Sequence, residues 1–134
     1  MNQSKLYFFC LLISGIFLTS GCDKDQTKSQ NQQELKQLFA KIKILAESST
    51  CDNGNYELKF IGYGARGCGG PVGFLAYSSS IDINEFESLV SKYTELEKEY
   101  NKKWNVVSTC EVIMAPNAVT CKNGKPVLVY NSFN

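Results

Sequence analysis

The sequence predicts an α+β domain with an antiparallel sheet of about five strands, two amphipathic helices on one face of the sheet, and two disulfide bonds. Two segments repeat apolar residues at helical spacing, and five short segments are rich in β-branched and aromatic residues. Their order along the chain is helix, two strands, helix, three strands. We therefore expect residues 33–134 to form a single domain.

The first helix is predicted between Gln33 and Glu47. Polar residues lie mainly on the side of this segment opposite an apolar stripe. The stripe consists of Leu35, Leu38, Phe39, Ile42, Leu45 and Ala46. Such a stripe has to be buried against another element. We expect it to face the core, with a membrane-surface role as the alternative.

Two strands are predicted at Tyr56–Tyr63 and Val72–Tyr77, where aromatic and β-branched residues concentrate. The loop between them, Gly64–Pro71, is rich in glycine. Together with Gly62 it spells GxGxxG, a dinucleotide-binding fingerprint whose last glycine has to open a helix. A Cys-Gly-Gly-Pro sequence follows instead. We therefore interpret the loop as a tight turn beside a disulfide, with glycines at positive φ.

The second helix is predicted from Ile83 to about Asn101. Asp82 is a good N-cap, Glu85 completes a capping box, and Ile81 can pack on the first helical turn as a hydrophobic staple. One face of this helix is apolar and consists of Phe86, Leu89, Val90, Tyr93, Leu96 and Tyr100.

Three further strands are predicted at Trp104–Met114, Val119–Lys122 and Pro126–Tyr130. A turn signal containing Pro116 separates the first two strands. Asn123-Gly124 separates the last two and favours a type I′ hairpin. Consecutive short strands of this kind indicate an antiparallel meander.

Residues 1–21 have the features of a secretory signal peptide. Lys5 supplies a positive charge, and Leu6–Leu18 is a thirteen-residue, mostly apolar run. As a helix, this run spans about 20 Å, less than the roughly 30 Å hydrocarbon core of a membrane. We therefore expect it to be removed rather than to remain as a membrane span.

Small residues and a cysteine, Thr19-Ser20-Gly21-Cys22, end the apolar run. This arrangement resembles the lipobox of bacterial lipoproteins. The resemblance implies that Cys22 becomes a diacylglyceryl-modified N-terminus, which anchors the chain to a membrane of the bacterial cell envelope. Ordinary signal-peptide cleavage before Cys22 is the alternative. Which membrane and which face carry the chain stay open.

Residues 22–32 are predicted to be a lipidated, flexible tether. Asp23–Gln32 contains no apolar residue. Such a segment buries no surface that would offset the entropy of ordering it.

The cysteines predict two disulfides in the domain. Cys10 leaves with the signal peptide and Cys22 carries lipid, so that Cys51, Cys68, Cys110 and Cys121 remain. An even number of cysteines in an exported chain favours disulfides. We predict the pairs Cys51–Cys68, which flank one strand, and Cys110–Cys121, which flank one turn. Pairing of Cys51 with Cys110 or with Cys121 is the alternative.

Composition argues against several kinds of chemistry. Without residues 1–21 the chain has 13 basic and 13 acidic residues, so its charge gives no reason to expect nucleic acid as a partner. It contains no histidine, so Ser-His-Asp and Cys-His catalytic arrangements cannot form. The cysteine spacing does not fit a zinc site. We expect no metal, no cofactor and no enzymatic activity.

Several short motifs carry a second resemblance. They are Gly67-Cys68-Gly69-Gly70-Pro71, Tyr77-Ser78, Ile81-Asp82, Ser108-Thr109-Cys110 and Cys121-Lys122-Asn123-Gly124-Lys125. Together they resemble small uncharacterised bacterial lipoproteins with a CGGP segment. That resemblance implies neither an activity nor a cofactor.

These observations favour a lipid-anchored cell-envelope protein with a non-catalytic binding domain, whose ligand is a protein or an envelope component. The Gly64–Pro71 loop is the candidate recognition surface, with Arg66, Gly67, Gly69 and Gly70 as its binding residues. Arg66 is the only charged residue of the loop and can donate paired hydrogen bonds to a carboxylate. The alternative is a periplasmic inhibitor of a secreted protease or lysozyme that inserts Arg66 into its target.

Overall fold

A computed structural model describes residues 26–52 and 54–131 and has an α+β architecture. The elements follow in the order α1 (Lys28–Ser48), β1 (Leu58–Tyr63), β2 (Gly73–Ser78), α2 (Ile83–Lys103), β3 (Ala118–Lys122) and β4 (Lys125–Val129). The predicted signal peptide, Cys22 and the start of the predicted tether lie outside the described residues.

Helix α1 begins earlier than the sequence pattern suggested. Thr27 is its N-cap, and its side chain accepts a hydrogen bond from the Gln30 backbone while the Gln30 side chain accepts one from the Thr27 backbone. This capping box starts the helix at Lys28 without any buried apolar residue. The prediction that residues 22–32 form a flexible tether is therefore wrong for residues 28–32.

Strands β1 and β2 form an antiparallel hairpin with Tyr63 opposite Gly73 and Leu58 opposite Ser78. Helix α2 follows it and begins at the predicted N-cap, because the Asp82 carboxylate accepts a hydrogen bond from the Glu85 backbone at 3.0 Å. The Glu85 side chain does not complete the capping box, since it forms an ion pair with Lys41 of α1 at 3.1 Å.

The two helices run antiparallel. Lys41, in the second half of α1, pairs with Glu85 in the first turn of α2, and Lys103 at the end of α2 donates to the backbone carbonyl of Gln26 at 3.4 Å. The start of α1 and the end of α2 therefore lie at the same end of the molecule.

The core lies between the two helices and the β1–β2 hairpin. Its buried members are Leu35, Ile42, Ala46, Tyr77, Phe86, Val90 and Tyr93. The apolar stripe of α1 thus faces the core, as predicted. Aromatic rings add directional contacts, since the ring centroids of Phe39 and Tyr63 are 4.8 Å apart and those of Tyr77 and Phe86 are 4.7 Å apart.

Strands β3 and β4 form a second antiparallel hairpin, whose turn has positive φ at both Asn123 and Gly124. The predicted type I′ turn is therefore confirmed. Hydrogen-bonded pairing among the described strands joins only β1 to β2 and β3 to β4. The prediction of one sheet of about five strands is wrong, because the second hairpin lies against the first without continuing its ladder.

The segment predicted as the strand Trp104–Met114 has no regular structure and pairs with no described strand. The backbone reverses just after α2, where Asn105 has a φ of 47° and the Val106 N–H bonds to the Asn101 carbonyl at 3.0 Å. This is the 6→1 bond of a Schellman motif. Val107 and Val112 are 92% and 88% exposed, so these side chains have no core to face.

The disulfides join Cys51 to Cys121 and Cys68 to Cys110. Two disulfides are confirmed, but the predicted pairs Cys51–Cys68 and Cys110–Cys121 are wrong. Pairing of Cys51 with Cys121 was one of the alternatives. The bridges join Cys51, just after α1, and Cys68, in the loop between β1 and β2, to the segment after α2, whose described residues contribute nothing to the core. The bridges therefore tie down a part of the chain that core packing does not hold.

Candidate functional site

The Gly64–Pro71 loop is an ordered extension of the β1–β2 hairpin. The Val72 N–H donates to the Tyr63 carbonyl at 2.8 Å, and the Arg66 N–H donates to the Gly70 carbonyl at 3.1 Å. A tight turn closes the tip, with the Gly69 N–H bonded to the Arg66 carbonyl at 2.9 Å. Positive φ occurs at three of the loop glycines, namely Gly64, Gly69 and Gly70, as the sequence predicted.

Three side chains of α2 hold the base of this loop. The Thr94 hydroxyl accepts from the Gly64 N–H at 3.0 Å, and Glu97 accepts from the Ala65 N–H at 2.7 Å. The Asn101 amide donates to the Ala65 carbonyl at 2.6 Å. Residues three and four apart on a helix lie on the same face, which explains how these three reach one stretch of backbone. The sequence analysis missed all three.

Glu97 also organises two tyrosines behind the loop. Its second carboxylate oxygen accepts from the Tyr93 hydroxyl at 2.9 Å. Burial of the phenol, together with this hydrogen bond and the charge of Glu97, raises the pKa of Tyr93 above its usual value. Burial and the same carboxylate also raise the pKa of Tyr63. Both phenols therefore stay protonated well into the alkaline range.

The structure places the Arg66 side chain against its own chain. One guanidinium nitrogen, Nη1, donates to the backbone carbonyl of Glu111, and the side chain is half-buried. Its Nε is buried and has no hydrogen-bond partner among the described residues. The guanidinium thus links the loop to the irregular segment after α2, instead of standing free in solvent.

Gly67 is required by a close approach between the loop and the segment after α2. A Cβ at this position would lie 2.7 Å from the Val106 carbonyl oxygen, closer than real Cβ atoms come to such an atom. The neighbouring Cys68–Cys110 disulfide joins the same two segments, and both of its cysteines are exposed. Close packing and a covalent bond therefore fix the loop against this segment.

A shallow cavity of about 400 Å³ opens where the loop meets the end of α2, and we call it the basic concavity. Its polar lining consists of Arg66, Lys98, Asn101, Lys102 and Asn105, next to Gly67. Val106 and Val107 form an apolar wall. No carboxylate lines it, so its lining charges are all positive.

A second cavity of about 350 Å³ shares Arg66 with the first and includes Glu97, Glu111 and Ile113 in its lining. The segment after α2 also carries exposed apolar side chains, which we call the apolar strip. The strip consists of Val107, Val112, Ile113 and Met114. The apolar residues of the strip are visible in the sequence, but they predicted a strand instead of an exposed surface.

Of the predicted binding residues, Arg66, Gly67, Gly69 and Gly70 lie together in one loop, with the last three exposed. Within the described residues, no group of three or more histidine, cysteine or acidic side chains could hold a metal ion. The search for a membrane-spanning helix over the same residues found none. No protein-family model, curated protein or solved structure matches this chain.

Proposed function

We propose that this chain is a lipid-anchored protein of the bacterial cell envelope and that its domain is a non-catalytic binding module. The proposed recognition surface comprises the exposed tip of the Gly64–Pro71 loop and the apolar strip beside it. The observation that carries the proposal is that this surface is both exposed and rigidly held.

Rigidity supports a binding role because an ordered surface loses little conformational entropy on association. The loop is tied to α2 by three side-chain hydrogen bonds and to the segment after α2 by Cys68–Cys110. Clusters of apolar side chains that are exposed to solvent are a common feature of interaction sites. Val107 and Val112 do not contribute to core packing, since both are exposed and neither belongs to the described core.

The contacts of Arg66 favour a binding surface over the inhibitor alternative. An inhibitor that inserts Arg66 into a protease pocket or lysozyme cleft needs this side chain to extend away from its own chain. Here the guanidinium donates to the Glu111 carbonyl and lies beside Gly70. Insertion would break that hydrogen bond, so no observation favours this second function.

To test the recognition surface, the full chain is immobilised and the envelope components that it retains from an envelope extract are measured. Val112→Asp should abolish retention, because it places a charge in the apolar strip without removing a core contact. Ile44→Asp is the matched control, since Ile44 is a 66% exposed apolar residue on α1, outside both cavities. Equal retention by the wild type and both variants would remove this surface from consideration.

The anchor is tested separately by metabolic labelling with palmitate. Wild-type chain should incorporate the label, and Cys22→Ser should not, because the thioether to the diacylglyceryl group forms on the cysteine sulfur. Cys10→Ser, within the predicted signal peptide, is the control and should leave labelling unchanged. A Cys22→Ser chain that still carries the label contradicts lipidation at this residue.

A further inference from the structure

We propose that the basic concavity binds the phosphate of a membrane lipid headgroup, on the membrane that carries the lipid anchor. The inference rests on the proposed function, because the anchor at Cys22 brings the membrane to this part of the molecule. It adds the chemical class of the ligand and the residues that bind it.

Three cations from two separate elements converge on the concavity. Lys98 and Lys102 lie one turn apart on α2, and Arg66 comes from the hairpin loop. Lysines in the last turn of a helix also offset the partial negative charge of its C-terminal end, which accounts for Lys102 and Lys103. That effect fades beyond the last turn and does not account for Lys98 or Arg66.

No acidic side chain of the described residues lines the concavity itself. Glu95 approaches Lys98 to 3.6 Å, but both side chains are well exposed and such pairs interact weakly. Glu97 does not line the concavity, and its two carboxylate oxygens accept hydrogen bonds from the Ala65 N–H and the Tyr93 hydroxyl. Glu111 contacts Arg66 through its backbone carbonyl.

Phosphate fits this lining better than a carboxylate or a neutral ligand does. A phosphate offers several anionic oxygens at once, which suits lysines on one side and a guanidinium on the other. The cavity of about 400 Å³ exceeds the size of a single phosphate and has room for the glycerol or sugar that carries it. The exposed Val107 on the rim supplies an apolar side chain at the level of the headgroups.

The position of the concavity relative to the anchor favours a membrane as the source of the phosphate. Lys103, next to Lys102, donates to the Gln26 carbonyl at 3.4 Å. Gln26 is four residues after Cys22, and four residues of extended chain reach at most about 14 Å. A lipid on Cys22 therefore holds the end of the molecule that carries the basic concavity close to the headgroup layer.

The single tryptophan, Trp104, directly precedes Asn105 of the concavity and serves as the fluorescence probe. The full chain in uncharged detergent micelles is titrated with short-chain phosphatidylglycerol, glycerol 1-phosphate and short-chain diacylglycerol. We expect a saturable change of Trp104 emission with the two phosphate compounds and none with diacylglycerol. We also expect phosphatidylglycerol to bind the more tightly of the two, because its chains share the micelle with the protein.

Variants that neutralise lysine side chains test whether phosphatidylglycerol binds in the basic concavity. Lys98→Gln combined with Lys102→Gln should weaken phosphatidylglycerol binding more than tenfold. Lys36→Gln combined with Lys92→Gln removes the same charge from exposed positions outside the concavity and should change it less than twofold. Circular dichroism shows whether both pairs keep the fold.

Three results would overturn the inference: no saturable response to either phosphate compound, an equal loss in both variant pairs, or a response to diacylglycerol as strong as that to phosphatidylglycerol. Equal affinity for glycerol 1-phosphate and phosphatidylglycerol would contradict the proposal that the bound phosphate belongs to a membrane lipid. Palmitate labelling is independent of these titrations, so failure here with a labelled Cys22 leaves the proposed function intact.

Discussion

At the scale of single residues, Gly67 shows why glycine is needed where two segments touch. Gly67→Ala would place a methyl group 2.7 Å from the Val106 carbonyl oxygen. Overpacking of this kind costs about 1–3 kcal/mol. We expect the free energy of unfolding, measured by urea denaturation, to fall by this amount.

Gly69→Asn is the informative comparison for that substitution. A Cβ at Gly69 meets nothing within 4 Å, and asparagine tolerates positive φ better than other residues do. It should destabilise the domain less than Gly67→Ala. The reverse order would mean that backbone conformation, rather than close packing, limits the loop.

Tyr93 predicts how stability depends on pH. Its pKa is raised in the folded protein by burial and by Glu97, while the unfolded phenol titrates near the ordinary value of 10.0. The resulting stabilisation is complete below that value and is lost as the pH rises above it, since the unfolded state releases its proton first. Urea denaturation at increasing pH should show this decline.

Tyr93→Phe should flatten part of the alkaline decline, because it removes one of the phenols involved. Tyr77 and Tyr63, whose pKa values are also raised, account for the remainder. Tyr130→Phe is the control, since Tyr130 is exposed and has no hydroxyl hydrogen bond among those found in the described residues. An unchanged decline in Tyr93→Phe would contradict the assignment.

At the scale of elements, α2 positions the site, and its start depends on Asp82. Asp82→Ala removes the acceptor for the Glu85 N–H, and losing such a cap costs about 1 kcal/mol. Asp82→Ser retains a capping oxygen and should restore most of this loss. Thermal unfolding followed by circular dichroism measures both. Equal melting temperatures for Asp82→Ala and wild type would show that the ion pair of Glu85 with Lys41 suffices.

At the scale of the whole molecule, the two disulfides hold the segment after α2 to the rest of the domain. They close loops with sequence separations of 70 and 42 residues. On the chain-entropy model each contributes about 4 kcal/mol, with strain able to reduce it. Replacing both cysteines of either pair by serine should therefore strongly destabilise the domain, as measured by urea denaturation.

Accessibility predicts which bridge is reduced first. Cys68 and Cys110 are both exposed, whereas the other bridge pairs the exposed Cys121 with Cys51, which is only 6% exposed. Brief treatment with a mild reductant, followed by alkylation and peptide mapping, should label Cys68 and Cys110 before Cys51 and Cys121. The same mapping of the unreduced chain should find Cys51 joined to Cys121. Recovery of a Cys51–Cys68 peptide would contradict the observed pairing.

The sequence by itself determined the local features of this protein. Helical periodicity, the Asp82 cap and the Asn123-Gly124 turn depend on residues close together in the sequence, so each could be recognised from a short segment. The start of α1 was equally local, and its Thr27–Gln30 capping box was present in the sequence but overlooked.

Only the tertiary structure decided which segments meet. The two disulfides and the contact of Arg66 with Glu111 join residues more than forty positions apart. Whether the segment after Trp104 forms a strand depends on the elements that lie beside it. A segment rich in β-branched residues, such as the one containing Val107 and Val112, becomes a strand only if a neighbouring edge pairs with it and a core covers it. Among the described residues, no strand pairs with this segment and no core covers it, so its apolar residues form an exposed strip beside a rigid loop.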